Sequence, residues 1–265
     1  VFSKPQSFQT WLRFSNGSGK TQADSEGDGR GMAIKLMGVE RSESTTQDFV
    51  MINHPVFFVR NAADYVEFQK ALVEDSPLKF FFPDWNLFNF RLHELSIANS
   101  IKSKKVTNPL NIQYWSMTPI LFGDTAIKFS ARPCSTGPKL PDSTDTNFLQ
   151  ANLSKQLTQD QGCFDFLVQL RQNSSEMPIE DPTIEWDETD SAFIPVAQIT
   201  IPAQSFSSPE QQIFCENLSF TPWHALPEHR PLGGINRIRK AVYETISRVR
   251  HELNDVTQIK EPTGF

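Results

Sequence analysis

"WLRFSNGSGKTQADSEGDGRGMAIKL", residues 11–36, decides the fold. It opens on a β-rich run (11–15) and closes on another (31–38), with glycine-studded segments between them. "NGSGK" (16–20) and "GDGRG" (27–31) have the look of a phosphate loop. A phosphate cradle, however, aims backbone N–H groups from a helix N-terminus, and the residues after "GDGRG" read as a strand. Both segments are therefore read as tight turns between strands.

Working outward, β-rich or alternating runs predict further strands at 48–53, 55–60, 126–133, 163–170 and 196–201. Helical spacing marks 62–75, 87–105, 146–157 and a closing helix within 231–253. Short strands joined by turns, with helices inserted rather than alternating, predict an α+β chain built on an antiparallel barrel or sandwich. No repeat or low-complexity tract divides the chain, so one domain over 1–265 is expected, with surface loops at the proline-rich 133–141 and 178–182.

The 265 residues are 38% hydrophobic and carry a net charge of −6, with a pI near 5.4. That balance argues for a soluble globular chain and against a nucleic-acid surface, which needs clustered Lys and Arg. No run has the length of a membrane span, and the first residues lack the order of a signal peptide. The chain is expected to begin inside its domain, because Val1 runs almost at once into "WLRFS". Cytoplasm and periplasm both remain open. Cys134, Cys163 and Cys215 are odd in number and widely spaced, which indicates neither a disulfide framework nor a zinc site.

His224 and His229 in "WHALPEHRP" read as loop histidines, because the prolines preclude a helix that would bring them together. "KSKK" (102–105) reads as a solvated helix end complementing the dipole. No Ser lies in a nucleophile-elbow context. The composition holds 22 Phe but only 3 Tyr, so each phenol invites attention.

One of them lies in the closing helix. Ile235, Ile238, Val242, Ile246, Val249 and Leu253 form an apolar stripe, with Arg239, Tyr243 and Arg250 along one flank and Arg237 and Arg248 nearly opposite. Arg239, one turn before Tyr243, would favour a phenolate. A core-edge tyrosine between two snorkelling arginines is the alternative reading of the same spacing.

Taken with the upstream segments, "RKAVYETISRVR" (239–250) resembles the proximal motif of the haem catalases, in particular their small catalase-like relatives. The 11–36 stretch is similar to the family's Arg-Phe-Ser segment, and "DFVMINHPVFFVRNAADYVEF" (48–68) to its Asn-before-Pro segment with two Phe. The resemblance is good over residues 8–70 and 220–254 and weak between. It implies a catalase-like antiparallel β-barrel with inserted and C-terminal helices, and haem b with Tyr243 as axial iron ligand supported by Arg239.

It also implies that Arg13 and Arg250 pair with haem propionates, that Phe58 packs on the haem plane, that Asn53 orients peroxide, and that Ser15 supports a distal histidine. That histidine precedes the Arg-Phe-Ser segment in the family, and none here matches it. His54 is not read as a stand-in because strand neighbours point to opposite faces, so either the chain is a fragment that has lost its distal arm or the protein works without that base. The implied activity is catalase or peroxidase chemistry on hydrogen peroxide or an organic peroxide, in a possible homo-oligomer. Isomerisation of a fatty-acid hydroperoxide, as in catalase-related allene oxide synthases, is the runner-up. Haem binding without turnover, or a haem-free barrel holding an apolar ligand, are readings of other classes.

Overall fold

A computed structural model describes residues 1–41, 44–135 and 145–256. Among the described residues there are eight strands: β1 (Thr10–Asn16), β2 (Arg30–Arg41), β3 (Ser44–Ile52), β4 (Tyr114–Trp115), β5 (Ile120–Phe122), β6 (Thr125–Pro133), β7 (Gly162–Leu170) and β8 (Ile194–Ile201). The α-helices are α1 (Ala62–Val73), α2 (Leu78–Phe81), α3 (Leu92–Ser103), α4 (Phe148–Gln159), α5 (Pro209–Asn217) and α6 (Gly233–Leu253). All strand pairings are antiparallel, in the order β1-β2-β3-β4-β6-β7-β8 with β5 on β6. The sheet curls into a half-barrel with β1 and β8 at its open edges, and no pairing between them closes it among the described residues.

Alternation of side chains assigns the two faces. Phe14, Met32, Ile34, Phe49, Met51, Phe129, Phe164 and Phe166 turn inward and share one apolar core. Phe49 meets Phe166 at 4.9 Å and Phe129 at 5.2 Å between centroids, within the range where tilted aromatic pairs add to area burial. Tyr114, fully buried among them, donates its hydroxyl to Pro109 O at 2.8 Å. Burial pushes its phenol well above the usual range. This core therefore answers for many of the 22 Phe and for one of the 3 Tyr.

Several expectations are corrected. The 55–60 segment is not a strand: Phe57 N donates to Pro182 O, and Phe57, Phe58 and Val59 pack into a cluster with Phe80, Phe81 and Ile235. Apolar density there serves helix packing, not pairing. The helix expected over 87–105 begins only at Leu92. Arg91 is tied back by its N–H to Phe81 O and by Nη1 to Phe80 O, which interrupts the run. Cys134 and Cys163 form a disulfide, because β6–β7 pairing brings together residues whose spacing in sequence carries no signal. Cys215 is free and exposed.

In "KSKK", Lys102 and Lys105 are exposed as expected, but Lys104 is half-buried. Its Nζ donates to Asn53 O at 2.6 Å and sits 5.4 Å from the Trp115 ring centre, and burial holds its ammonium below the usual range. The proline-rich 133–141 segment lies mostly outside the described residues. In α6 the expected apolar stripe is covered only in its first half. Ile235 is buried, Ile238 and Val242 are half-buried, but Ile246, Val249 and Leu253 are exposed. Among the described residues no helix is long and apolar enough to cross a membrane.

Candidate functional site

The outward face of β1, β2 and β3 forms a floor. Trp11, Arg13 and Ser15 alternate outward on β1, and the register sets Arg13 opposite Ala33 and Ser15 opposite Gly31, which in turn face Val50 and Ile52. The floor is low where residues are small. At Gly31 a methyl group would meet Ser15 Oγ at 2.5 Å, so only glycine leaves that hydroxyl its place. Leu218 and Phe220 pack over Ala33 with Trp11 and Val50 around them.

α6 brings the other wall. As the helical spacing predicts, Arg239, Tyr243 and Arg250 face inward together, while Arg237 and Arg248 are exposed and pair with Glu180 and Glu252. Arg239 is buried, and its Nη2 donates to Tyr243 Oη at 3.3 Å. Its guanidinium carbon lies 5.4 Å from the Tyr243 ring centre.

Arg13 and Arg250 converge from opposite ends of the chain. Arg13 Nη1 donates to Leu218 O at 2.9 Å and Arg250 Nη2 to the same oxygen at 3.1 Å. Arg250 Nε is buried with no hydrogen-bond partner among the described residues. Arg13 also lies 4.5 Å over the Phe220 ring. Burial, and then the charge of Arg250, hold the Arg13 guanidinium below its usual range, partly opposed by Cys215, Tyr243 and Glu216. Two cations that share one neutral oxygen keep unused donors in fork geometry, which suits carboxylates.

Asn53 lies just beyond β3 and is buried. Its Oδ1 accepts from Arg30 N at 2.9 Å, but its Nδ2 is buried with no hydrogen-bond partner among the described residues. A buried orphan donor is costly unless a ligand satisfies it. Phe58 packs with its ring centre 4.9 Å from that of Phe57, tilted, and 4.7 Å from that of Phe68, edge-on, and also touches the cluster of Val56, Ile97 and Ile101 with Ile52. Ser15 is exposed at the end of β1. His54 is buried, with Nδ1 3.2 Å from Val56 O, and burial lowers its imidazole pKa.

Arg13, Arg239, Tyr243 and Arg250 thus gather as one group. Asn53, Ser15 and Phe58 stand along the sheet and make no hydrogen bond to that group among the described residues. Two neighbours were not among the expected site residues, although the scarcity of tyrosine had marked the first of them. Tyr65 on α1 packs with Phe58 near Tyr243; burial raises its phenol, with Tyr243 adding to the effect and Gln69 and Arg239 opposing it. Ser247, one turn beyond Tyr243, hydrogen-bonds Ser219 through their hydroxyls. A cavity of about 2160 Å³ is lined by the half-barrel's interior and extends to Trp11 and Leu218 at the edge of this site. Only Arg13 and Ser15 among the site residues reach its rim.

Comparison with known proteins agrees with this frame. Residues 1–100 match the family model described as catalase. No curated protein matches the sequence. A fungal catalase structure aligns with a TM-score of 0.74 at 18% identity, over 94% of this chain and 53% of its own. A bacterial catalase aligns with a TM-score of 0.69 at 15% identity, over 98% of this chain and 55% of its own. The chain spans about half the length of these solved structures and has the catalase-like fold.

Proposed function

We propose that this chain binds haem b through Tyr243 and serves catalase- or peroxidase-type oxidoreductase chemistry on hydrogen peroxide or an organic peroxide. The observation that carries the reading is the Arg239 guanidinium held on the Tyr243 hydroxyl beside the Arg13–Arg250 pair. A phenol is a poor ligand at neutral pH until a nearby cation favours its anion, and Arg239 is that cation. The residues fit the group: the Arg13 and Arg250 guanidiniums meet at one neutral carbonyl, and among the described residues Arg250 Nε and Asn53 Nδ2 are buried with no hydrogen-bond partner.

Bound there, haem would supply the redox-active iron that peroxide O–O cleavage requires. The chain's own residues divide the remaining work. Arg13 and Arg250 would each take a propionate by charge-assisted hydrogen bonds in place of the Leu218 carbonyl. Arg239 would keep its hydrogen bond on the Tyr243 oxygen, and Asn53 Nδ2 would donate to a peroxide oxygen. Phe57, Phe58 and Phe68 would exclude water from that side.

Haemin added to the purified protein should give a Soret band with high-spin ferric features, which Tyr243→Phe should abolish or alter. An unchanged spectrum in that variant would sink the ligand assignment. Oxygen release from hydrogen peroxide supports the catalase reading; product analysis with a fatty-acid hydroperoxide supports the isomerase instead.

A further inference from the structure

Arg239 directs its two terminal nitrogens at three neutral side chains. Nη2 reaches Tyr243 Oη, while Nη1 donates to Thr118 Oγ1 at 3.0 Å and to Asn236 Oδ1 at 3.1 Å. Thr118 Oγ1 in turn donates to Asn236 Oδ1 at 3.1 Å, so the three side chains close a ring. All three are buried.

Each member is fixed from behind. The Asn236 amide donates to Pro119 O at 3.0 Å and Leu232 O at 2.8 Å, which leaves its oxygen facing Arg239. Trp223 Nε1 donates to Asn236 O at 2.7 Å. Thr118 stands in the connection between β4 and β5, directly after Met117, whose φ is 59°. A non-glycine residue in the left-handed region persists where its surroundings over-determine it. The ring thus joins the β4–β5 connection to α6 and to the loop holding Trp223.

A guanidinium is a rigid planar fork, so two acceptors on Nη1 fix the plane and with it the direction of Nη2. Neutral partners also leave the cationic charge uncompensated along that direction. We propose that Thr118 and Asn236 are positioning residues: their oxygens hold Arg239 so that it addresses the Tyr243 oxygen. This rests on the reading of Tyr243 as the haem ligand.

The test uses Thr118→Val, which keeps shape and loses the hydroxyl, with Thr118→Ser as the rescue. Asn236→Ser is a second probe of the same ring. In the protein without haem, the Arg239 guanidinium NMR signal, assigned by its loss in Arg239→Lys, should exchange with water roughly five- to tenfold faster in Thr118→Val. Thr118→Ser should match the parent. With haemin, Thr118→Val should bind more weakly by a similar factor and shift the absorption spectrum.

Unchanged exchange in both Thr118→Val and Asn236→Ser overturns the proposal. So does a lowered melting temperature with parental haemin affinity and spectrum, which is what a merely structural role predicts. If Tyr243→Phe leaves the haem spectrum unchanged, the ligand reading fails instead. The exchange comparison, made without haem, still decides whether Thr118 and Asn236 hold Arg239.

Discussion

Replacing Lys35 by Met should destabilise the protein by about 3–5 kcal/mol, the range for breaking a buried ion pair from one side. Lys35 Nζ lies 2.8 Å from Asp48 Oδ1 and 2.9 Å from Oδ2, with both side chains fully buried. At an effective dielectric of about 20, that separation corresponds to about 6 kcal/mol of attraction, most of it offset by desolvating both ions. Lys35→Met removes the attraction and leaves the desolvated carboxylate behind. Thr221 N at 3.0 Å and His224 Nδ1 at 3.2 Å would still face it.

The double variant Lys35→Met/Asp48→Leu should lose less, roughly 1–3 kcal/mol, for the Thr221 N–H left unmatched. Urea unfolding measures both. The single variant's midpoint should fall by on the order of 1–2 M, with the double closer to the parent. A single-variant loss below about 1 kcal/mol, or a double that loses more than the single, would refute the reasoning. Because Thr221 and His224 lie on the segment leading to α6, the pair also pins that helix to the sheet.

Alanine at Arg13 or at Arg250 should each weaken haemin binding on the order of tenfold to a hundredfold, the range for a charge-assisted hydrogen bond; undiminished affinity in both variants would remove the propionate assignment. Lys128 is buried beneath Trp186, and burial lowers its ammonium pKa to about 8 from 10.5. Between those values the unfolded chain binds more protons than the folded one, so stability should rise by roughly 3 kcal/mol from below pH 8 to pH 10.5, and Lys128→Met should flatten the slope in urea titrations. Reducing Cys134–Cys163, which are 29 residues apart, should cost about 3–4 kcal/mol. Thiol titration of the native oxidised protein should find Cys215 alone reactive; more than one reactive thiol would count against the bridge.

What could be read in advance follows from how local each signal is. The strands at 11–15 and 163–170 and the inward trio on α6 were legible because period alone determines them. α5 carries a local signal that periodicity passes over: Ser208, Pro209 and Gln211 make a capping box, with Ser208 Oγ accepting from Gln211 N at 3.2 Å. The Cys134–Cys163 bridge was not legible, since strand pairing creates it. Nor was the exposure of Ile246 and Leu253, because a stripe specifies a face to bury and not what buries it. At the site, helical spacing placed Arg239 beside Tyr243, but the joining of Arg13 to Arg250 at one carbonyl is a tertiary fact. So is the ring that Thr118 and Asn236 close with Arg239, since those two carry no charge to draw notice.

The order of the strands has a kinetic consequence. Most neighbours in the sheet are also near neighbours along the chain, so pairing can advance with modest loop closures. The site is the opposite case. Arg13 meets Leu218 across 205 positions, and Arg239 meets Thr118 across 121. The expected course of folding is therefore sheet first and site last, with amide protection in β2 and β3 preceding that in α6 under pulsed hydrogen exchange. A nascent chain would carry a formed sheet well before it had a place for the ligand.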